Sequence, residues 1–187
     1  MKGCWVFVCG ASGAGKDSVM RWAEVYLAER QDIVFSRRLV TRPVSPDSDH
    51  EEITADEFKS KAGNGGLAWH WQANGFNYGI DTQYAAEVAA GQIVVVNGSR
   101  EHANLLGCSE QIRLVQIELN PAALEARLLN RGRESRQKIA ERLARNHLFS
   151  GLGVHHRIVN DGELAVAGQA FADYLLAVSL RSSSRAK

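Results

Sequence analysis

The chain has 187 residues, of which 45% are hydrophobic and 23% charged, proportions that suit a single globular domain with a sizeable core. Its formal net charge of +1 provides no overall field for binding nucleic acid or a membrane surface, and no apolar run is long enough to span a bilayer. We therefore expect no nucleic-acid and no membrane partner. The three cysteines show neither pairing nor metal-binding spacing, and no signal-peptide profile precedes the first apolar run, so we expect a cytoplasmic location.

A glycine-rich segment follows the first predicted strand. The apolar residues 5–9 predict a buried strand, and apolar residues recur at helical spacing over 19–27. Between them the chain reads Gly-x4-Gly-Lys, the pattern of a phosphate-binding loop in its usual strand–loop–helix context. We expect nucleotide phosphates to bind at Gly10, Ala11, Ser12, Gly13, Ala14, Gly15, Lys16, Asp17 and Ser18. The alternative is a glycine-rich turn whose lysine is only solvated.

Asp17 departs from this pattern. The residue after the loop lysine is usually Ser or Thr, whose hydroxyl holds Mg²⁺, whereas here a hydroxyl follows only at Ser18. One interpretation is that Asp17 and Ser18 place Mg²⁺ beside the phosphates. The other is that Asp17 is an acidic residue of the first helical turn, where the helix dipole favours negative charge.

The remaining elements alternate between strands and helices. A capping box at Thr54 and Glu57 opens a short helix around Phe58, and aromatic residues over 67–80 predict antiparallel strands that turn at residues 74–75. Further strands are predicted at 33–36, 93–96, 113–119 and 157–159, and further helices at 84–90, 121–130, 135–149 and from a cap at Asp161 to about 178. The alternation predicts an α/β fold in three αβα layers around a parallel sheet.

The domain organisation follows from this order of elements. We expect one domain over residues 1–180, with a small lobe inserted at about 37–80 and a polar, disordered tail at 181–187. Asn97, Ser99 and Arg100 follow the β-branched strand 93–96, at the carboxyl end where open α/β sheets bind their ligands.

With these elements placed, the chain resembles the guanylate kinase-like branch of the nucleoside monophosphate kinases over nearly its whole length. The motifs that carry the resemblance are Thr41-Arg42-Pro43, Trp69, Tyr78-Gly79, Arg127-Leu-Leu-Asn-Arg131-Gly132, Glu141-Arg142-Leu143 and Ile158-Val159-Asn160-Asp161. The resemblance implies a P-loop kinase that uses ATP and Mg²⁺, with an acceptor-binding lobe and a helical lid at about 127–145. It also implies that Arg131, Arg133 and Arg142 close over the transferring phosphoryl group and that Asn160 lies beside the adenine.

The chain departs from guanylate kinases at the residues that read the base. The family's glutamate before the tryptophan corresponds to Ala68, and its two acidic residues after the central strand correspond to Asn97 and Ser99. A guanine would therefore lose two hydrogen bonds to charged groups, at about 1.5–3 kcal/mol each. These departures argue against GMP as the acceptor.

The same departures, together with Gly-Lys-Asp, His50-Glu51, Asn97-Gly-Ser-Arg100 and Arg131-Gly-Arg133, closely resemble the ribose 1,5-bisphosphate phosphokinase family. That resemblance implies phosphorylation of a small sugar phosphate, ribose 1,5-bisphosphate, to 5-phospho-α-D-ribose 1-diphosphate during phosphonate breakdown. The candidate substrate-binding residues are Arg37, Arg38, Arg42, His50, Glu51, Tyr78, Asn97, Ser99 and Arg100.

Several alternatives stay open at this point. The chain could be a guanylate kinase or another nucleoside monophosphate kinase, and guanylate kinase-like domains also serve as non-catalytic binding modules. His50 could be a plain loop residue, and Arg142 could belong to the solvated face of a basic helix. The oligomeric state does not follow from the sequence.

Overall fold

The computed structural model describes residues 3–44, 49–73, 75–130, 136–147 and 151–184. The predicted lid residues Arg131 and Arg133 lie outside the described residues. Arg142 belongs to a helix whose backbone is described, but its side chain is also outside the described part of the structure.

Strands and helices alternate along the chain, as the sequence predicts. The strands are β1 (Cys4–Gly10), β2 (Ile33–Phe35), β3 (Arg38–Val40), β4 (His50–Glu52), β5 (Leu67–Ala73), β6 (Phe76–Asp81), β7 (Ile93–Asn97), β8 (Ile112–Glu118) and β9 (His156–Val159). The helices are α1 (Lys16–Tyr26), α2 (Ala55–Gly63), α3 (Gln83–Ala89), α4 (Arg100–Leu106), α5 (Pro121–Asn130), α6 (Arg136–His147) and α7 (Leu164–Ser184).

The main sheet has five parallel strands in the order β2-β7-β1-β8-β9. Its two faces bury alternate residues of β1, because successive side chains of a strand point to opposite faces. Val6 and Val8 pack into one apolar cluster with α1 and α7, whereas Trp5 and Phe7 pack into a second cluster with α3, α4 and β5. The predicted α/β fold with helices on both faces of a parallel sheet is confirmed.

The second sheet has the order β4-β3-β6-β5 and is formed entirely between residues 38 and 81. The predicted antiparallel pair is confirmed as β5 and β6, and the capping box of α2 forms between Thr54 and Glu57. Strands β3 and β4 are absent from the sequence prediction, because each has only three residues and neither shows alternation of apolar and polar side chains.

The last helix is longer than the sequence predicts. α7 continues to Ser184, so Arg181 and the residues up to 184 are helical rather than part of a disordered tail. Ser179 fixes this end of the helix, since its buried hydroxyl donates a 2.6 Å hydrogen bond to Asp32 Oδ2. Asp161 lies before α7 and accepts a hydrogen bond from the backbone N–H of Asn120 at 2.7 Å. Among the described residues, no helix is both long and apolar enough to cross a membrane.

Candidate active site

The loop between β1 and α1 has the backbone geometry of an anion-binding cradle. Gly13 and Gly15 have φ values of +97° and +85°, a region that favours glycine. Lys16 is the first residue of α1, so the free amides at the helix start face the same region as its ammonium group. The geometry therefore provides backbone donors and a cation for a phosphate group.

Residues from two distant elements hold this loop in place. Asn160, which follows β9 and is buried, donates from Nδ2 to the carbonyl oxygen of Ala14 at 2.7 Å. Arg127 of α5 in turn donates from Nη2 to the carbonyl oxygen of Asn160 at 2.9 Å. A side chain at Gly15 would overlap the Asn160 amide, so the glycine is required by close approach as well as by its φ. Asn160 thus stabilises the conformation of the phosphate loop through the carbonyl oxygen of Ala14.

A cavity of about 280 Å³ lies in front of the loop, at the small end of the range for ligand pockets. One side comes from the phosphate loop and α5, one from the segment after β7, and one from the second sheet. The lining residues are Gly10, Ala11, Ser12, Lys16, Arg38, Trp71, Gln72, Ala73, Tyr78, Gly98, Ser99, Arg100, Glu101 and Leu124. The two sheets therefore share one cavity at the carboxyl ends of β1 and β7.

Among the described residues, three cationic side chains line this cavity: Lys16, Arg38 and Arg100. Burial lowers the pKa of Lys16, and the nearby positive charges of Arg38 and Arg100 lower it further, while Asp17 opposes them. Burial also lowers the pKa of Arg38, and Asp17 is the first of the groups that counteract this effect. Concentrating positive charge on a partly dehydrated surface costs free energy, which a bound anion would offset. The cavity is therefore suited to phosphate groups.

Aromatic rings form the wall of the cavity on the second sheet. Trp71 stacks on Tyr78 with ring centroids 5.6 Å apart and an interplanar angle of 8°, and its indole also stacks on His102 of α4 at 4.9 Å. The guanidinium carbon of Arg38 lies 5.9 Å from the centre of the Tyr78 ring. These contacts fix the position of Arg38 relative to the phosphate loop.

Asp17 faces the second sheet and the end of β7. Its Oδ1 accepts a hydrogen bond from Asn97 Nδ2 and lies 3.8 Å from Arg38 Nη2. Ser18 is exposed on the first turn of α1. A second cavity of about 600 Å³ lies at the carboxyl ends of β8 and β9 and shares Ala11 and Arg100 with the first.

Comparisons with known proteins agree with this geometry. No protein-family model matches the chain. The protein named ribose 1,5-bisphosphate phosphokinase PhnN in Brucella melitensis is 38% identical over 184 residues, covering 97% of this chain and 96% of the relative. Proteins of the same name from Burkholderia mallei and Acidiphilium cryptum are 42% and 40% identical, and each alignment covers 91% of this chain with 94% and 91% of the relative.

The chain belongs to the ribose 1,5-bisphosphate phosphokinase family. Its fold is similar to that of guanylate kinase from Anaplasma phagocytophilum, with a TM-score of 0.66, 16% identity, and coverage of 94% of this chain and 85% of that chain. At that identity the likeness shows the fold alone. The family assignment therefore rests on the sequence relatives, and the guanylate kinase-like fold on the structural neighbour.

In this member of the phosphokinase family, Arg38, Tyr78, Ser99 and Arg100 are the predicted substrate-binding residues that line the cavity. Ser99 also caps α4, since its hydroxyl oxygen accepts a 3.0 Å hydrogen bond from the backbone N–H of His102. The segment after β7 therefore faces the cavity, as its position at the end of a parallel strand predicts.

Asn97, the last residue of β7, directly precedes the cavity lining without belonging to it, and four further predicted substrate-binding residues of this phosphokinase lie elsewhere. Arg37 is exposed, and its Nε lies 3.9 Å from Asp49 Oδ1. The guanidinium carbon of Arg42 lies 5.9 Å from the centre of the Phe76 ring. His50 is buried, and its Nε2 donates to the carbonyl oxygen of Arg42 at 2.9 Å.

Glu51, the fourth of these residues, is exposed on β4. Strand β4 is at the edge of its sheet beside β3, and neither His50 nor Glu51 is among the residues that line the cavity. The structure therefore places His50 and Glu51 in the frame of the lobe, outside the cavity.

Sequence reasoning missed several residues at this phosphokinase site. No sequence pattern marks Trp71 or Leu124 as a site residue, yet both line the cavity, and Glu101 lies at its rim on the first turn of α4. Arg127 was read only as part of a lid motif, although it supports the phosphate loop through Asn160. The position of Trp71, seven residues before Tyr78 on a predicted hairpin, is the signal that could have placed both rings on one wall.

Proposed function

We propose that the protein transfers the γ-phosphoryl group of ATP to the 1-phosphate of ribose 1,5-bisphosphate, in the cytoplasm and as part of phosphonate breakdown. An oxygen of the acceptor phosphate attacks the γ-phosphorus, a new P–O–P linkage forms, and the bond to the bridging oxygen of ADP breaks. The products are ADP and 5-phospho-α-D-ribose 1-diphosphate. Because the acceptor oxygen is already anionic, the reaction needs no general base, and the protein contributes position and charge neutralisation.

The donor side of the reaction is assigned to the phosphate loop. Lys16 and the backbone amides of the loop around Gly13 and Gly15 can bind the β and γ phosphates. Asp17 and Ser18 carry hard oxygen donors next to them, which fits Mg²⁺. When bound, Mg²⁺ neutralises charge on the donor phosphates. The family resemblance assigns lid closure to Arg131, Arg133 and Arg142. The side chains of these three residues lie outside the described part of the structure.

The acceptor side is assigned to the opposite wall of the cavity. Arg38 and Arg100 supply two guanidinium groups for an acceptor that carries two phosphates. Ala68 packs against the apolar cluster of Trp5 and Phe7, and it has no polar group to read a base. Asn97 directs its amide N–H to Asp17. The absence of a base-reading carboxylate at these two positions is the observation that carries the choice of a sugar phosphate over GMP.

Product analysis by phosphorus NMR tests this function. Incubation with ATP, Mg²⁺ and ribose 1,5-bisphosphate should convert the resonance of the sugar 1-phosphate into a pair of coupled diphosphate resonances that are distinct from those of ADP. Lys16→Ala serves as the inactive control. Release of inorganic phosphate without a sugar diphosphate would show ATP hydrolysis only, and the proposal would then be wrong.

A further inference from the structure

Asp17 and Asn97 form a hydrogen bond across the crevice between two neighbouring strands. Asp17 lies on α1 after β1, and Asn97 is the last residue of β7, the strand that pairs with β1. The chain continues from β1 to α1 on one face of the sheet and from β7 to α4 on the other. Such a crevice is where open α/β sheets bind their ligands. The hydrogen bond therefore lies at the boundary between the donor and acceptor sides of the proposed reaction.

The carboxylate of Asp17 determines the orientation of the Asn97 amide. An ionised carboxylate can only accept hydrogen bonds, so Asn97 must direct its NH₂ group towards Asp17, as it does here. The amide oxygen, Asn97 Oδ1, is then left buried without a hydrogen-bond partner among the described residues, in a residue that is only 6% exposed. A buried acceptor without a donor is unfavourable. Asn97 is thus fixed in an orientation in which its carbonyl oxygen can accept a hydrogen bond from a ligand. It directly precedes Gly98 and Ser99, which line the cavity.

The same carboxylate oxygen also stands beside the acceptor-side cation. Arg38 Nη2 lies 3.8 Å from Asp17 Oδ1, in a side chain that is 15% exposed, and Arg38 Nε has no partner among the described residues. Arg38 lines the cavity and contacts the Tyr78 ring. A single carboxylate oxygen therefore accepts the Asn97 hydrogen bond and also lies beside Arg38, which the proposed function assigns to an acceptor phosphate.

We propose that Asp17 is a positioning residue for the acceptor: it holds Asn97 with its carbonyl oxygen free to accept a hydrogen bond from an acceptor hydroxyl, and it holds Arg38 for an acceptor phosphate. This inference rests on the proposed function. It explains why the phosphate loop has Asp17 where Ser or Thr is usual: the carboxylate positions residues that bind the acceptor. The contacts to Asn97 and Arg38 use Oδ1, so Asp17 would still have Oδ2 to offer to a hydrated Mg²⁺.

The variant Asp17→Ser separates the two purposes of this position. It restores the hydroxyl that phosphate loops usually offer to Mg²⁺, so the apparent constants for ATP and Mg²⁺ should stay within about threefold of the parent values. The acceptor KM should rise by about tenfold or more, because Asn97 and Arg38 lose their common partner. Asp32→Asn is the matched control, since Asp32 also pairs with an arginine but lies far from the cavity on the chain between α1 and β2.

The exchange Asp17→Asn with Asn97→Asp tests the hydrogen bond itself. Each single substitution should raise the acceptor KM: Asp17→Asn removes the charge beside Arg38 and lets the Asn97 amide bond in either orientation, and Asn97→Asp places two carboxylates together. The double variant rebuilds the hydrogen bond with its polarity reversed, so its acceptor KM should fall below that of either single variant. Circular dichroism and melting temperatures establish that each variant is folded.

The outcomes separate this inference from the proposed function. An unchanged acceptor KM in folded Asp17→Ser, or a double variant no better than the single ones, would overturn the positioning role while the parent enzyme still phosphorylates the sugar. No turnover of ribose 1,5-bisphosphate by the parent protein would instead overturn the proposed function. Isothermal titration of the parent protein and of Asp17→Ser with ribose 1,5-bisphosphate alone gives the same comparison without turnover, and weaker binding by the variant is expected.

Discussion

Lys16 is the residue on which the donor side of the proposed reaction depends most. It is partly buried and has the cations Arg38 and Arg100 as neighbours, so its ammonium group is held where negative charge is most stabilising. Its position after Gly15 follows directly from the sequence pattern. The neighbours that tune it do not, because Arg38 belongs to a three-residue strand that shows no sequence periodicity.

Lys16→Ala should lower kcat by about 10²-fold or more, since preorganised charge at the transferring group is worth that much in comparable sites. The fold should be retained, because the lysine starts a helix at the edge of the cavity and alanine favours helices. Steady-state kinetics and circular dichroism check both statements. Lys59→Ala, on the exposed face of α2, is the matched control and should change neither.

Gly98→Ala should destabilise the protein by about 1–3 kcal/mol, the usual cost of overpacking a core. A Cβ at Gly98 would overlap the ring of Phe7, which is fully buried on β1 and cannot move into solvent. Urea unfolding measures the change. Gly162→Ala has open space around the added methyl group and should cost less than about 0.5 kcal/mol. Equal costs for the two variants would contradict the close approach of Gly98 to the Phe7 ring.

At the scale of elements, α1 and α7 pack together on one face of the main sheet, and a small polar network joins their ends. Asp32, after α1, accepts hydrogen bonds from Arg30 at 2.8 Å and from Ser179 of α7 at 2.6 Å. The hydrogen bonds from Arg30 lower the pKa of Asp32 most, and the hydrogen bond from Ser179 also lowers it, to a value of about 2. This network gives α7 a tertiary contact beyond the last residue that helical periodicity predicts.

Asp32→Asn should lower the melting temperature at neutral pH, and the difference from the parent protein should shrink in acid. The folded pKa of about 2 lies below the unfolded value of about 3.9, so the carboxylate stabilises the fold above about pH 4 and loses that effect as the pH falls towards 2. Melting curves at pH 7, 5, 4 and 3 measure the gap. A gap that stays constant down to pH 3 would contradict the role of the ionised carboxylate.

The elements also show what sequence reasoning could and could not reach. The loop, α1 and the β5–β6 hairpin were predictable because glycine spacing, helical periodicity and a turn signal are local properties of the chain. The hairpin also predicts that Trp71 pairs with Tyr78, but not that the two rings form the cavity wall, because that depends on how the second sheet packs against Phe7 and His102. The contact between Asp17 and Asn97 joins residues 80 positions apart, and only the parallel pairing of β1 and β7 brings them together.

For the whole molecule, an intact nucleotide site distinguishes an enzyme from a non-catalytic binding module. ATP with Mg²⁺ should stabilise the folded protein, by about 2.7 kcal/mol at a hundred times its Kd, because a ligand that binds only the folded state shifts the unfolding equilibrium. Thermal or urea unfolding with and without the nucleotide measures this effect. The Lys16→Ala variant should show much less stabilisation. No stabilisation of the parent protein at millimolar ATP would favour the binding module.

The acceptor is the central claim, and a direct comparison of turnover tests it. Ribose 1,5-bisphosphate and GMP are supplied separately at equal concentration with ATP and Mg²⁺, and ADP release is followed. Two missing hydrogen bonds to charged groups, at about 1.5–3 kcal/mol each, predict that the sugar bisphosphate reacts about 10²–10⁴-fold faster. Faster turnover of GMP would contradict the account of Ala68 and Asn97 and would make the protein a guanylate kinase.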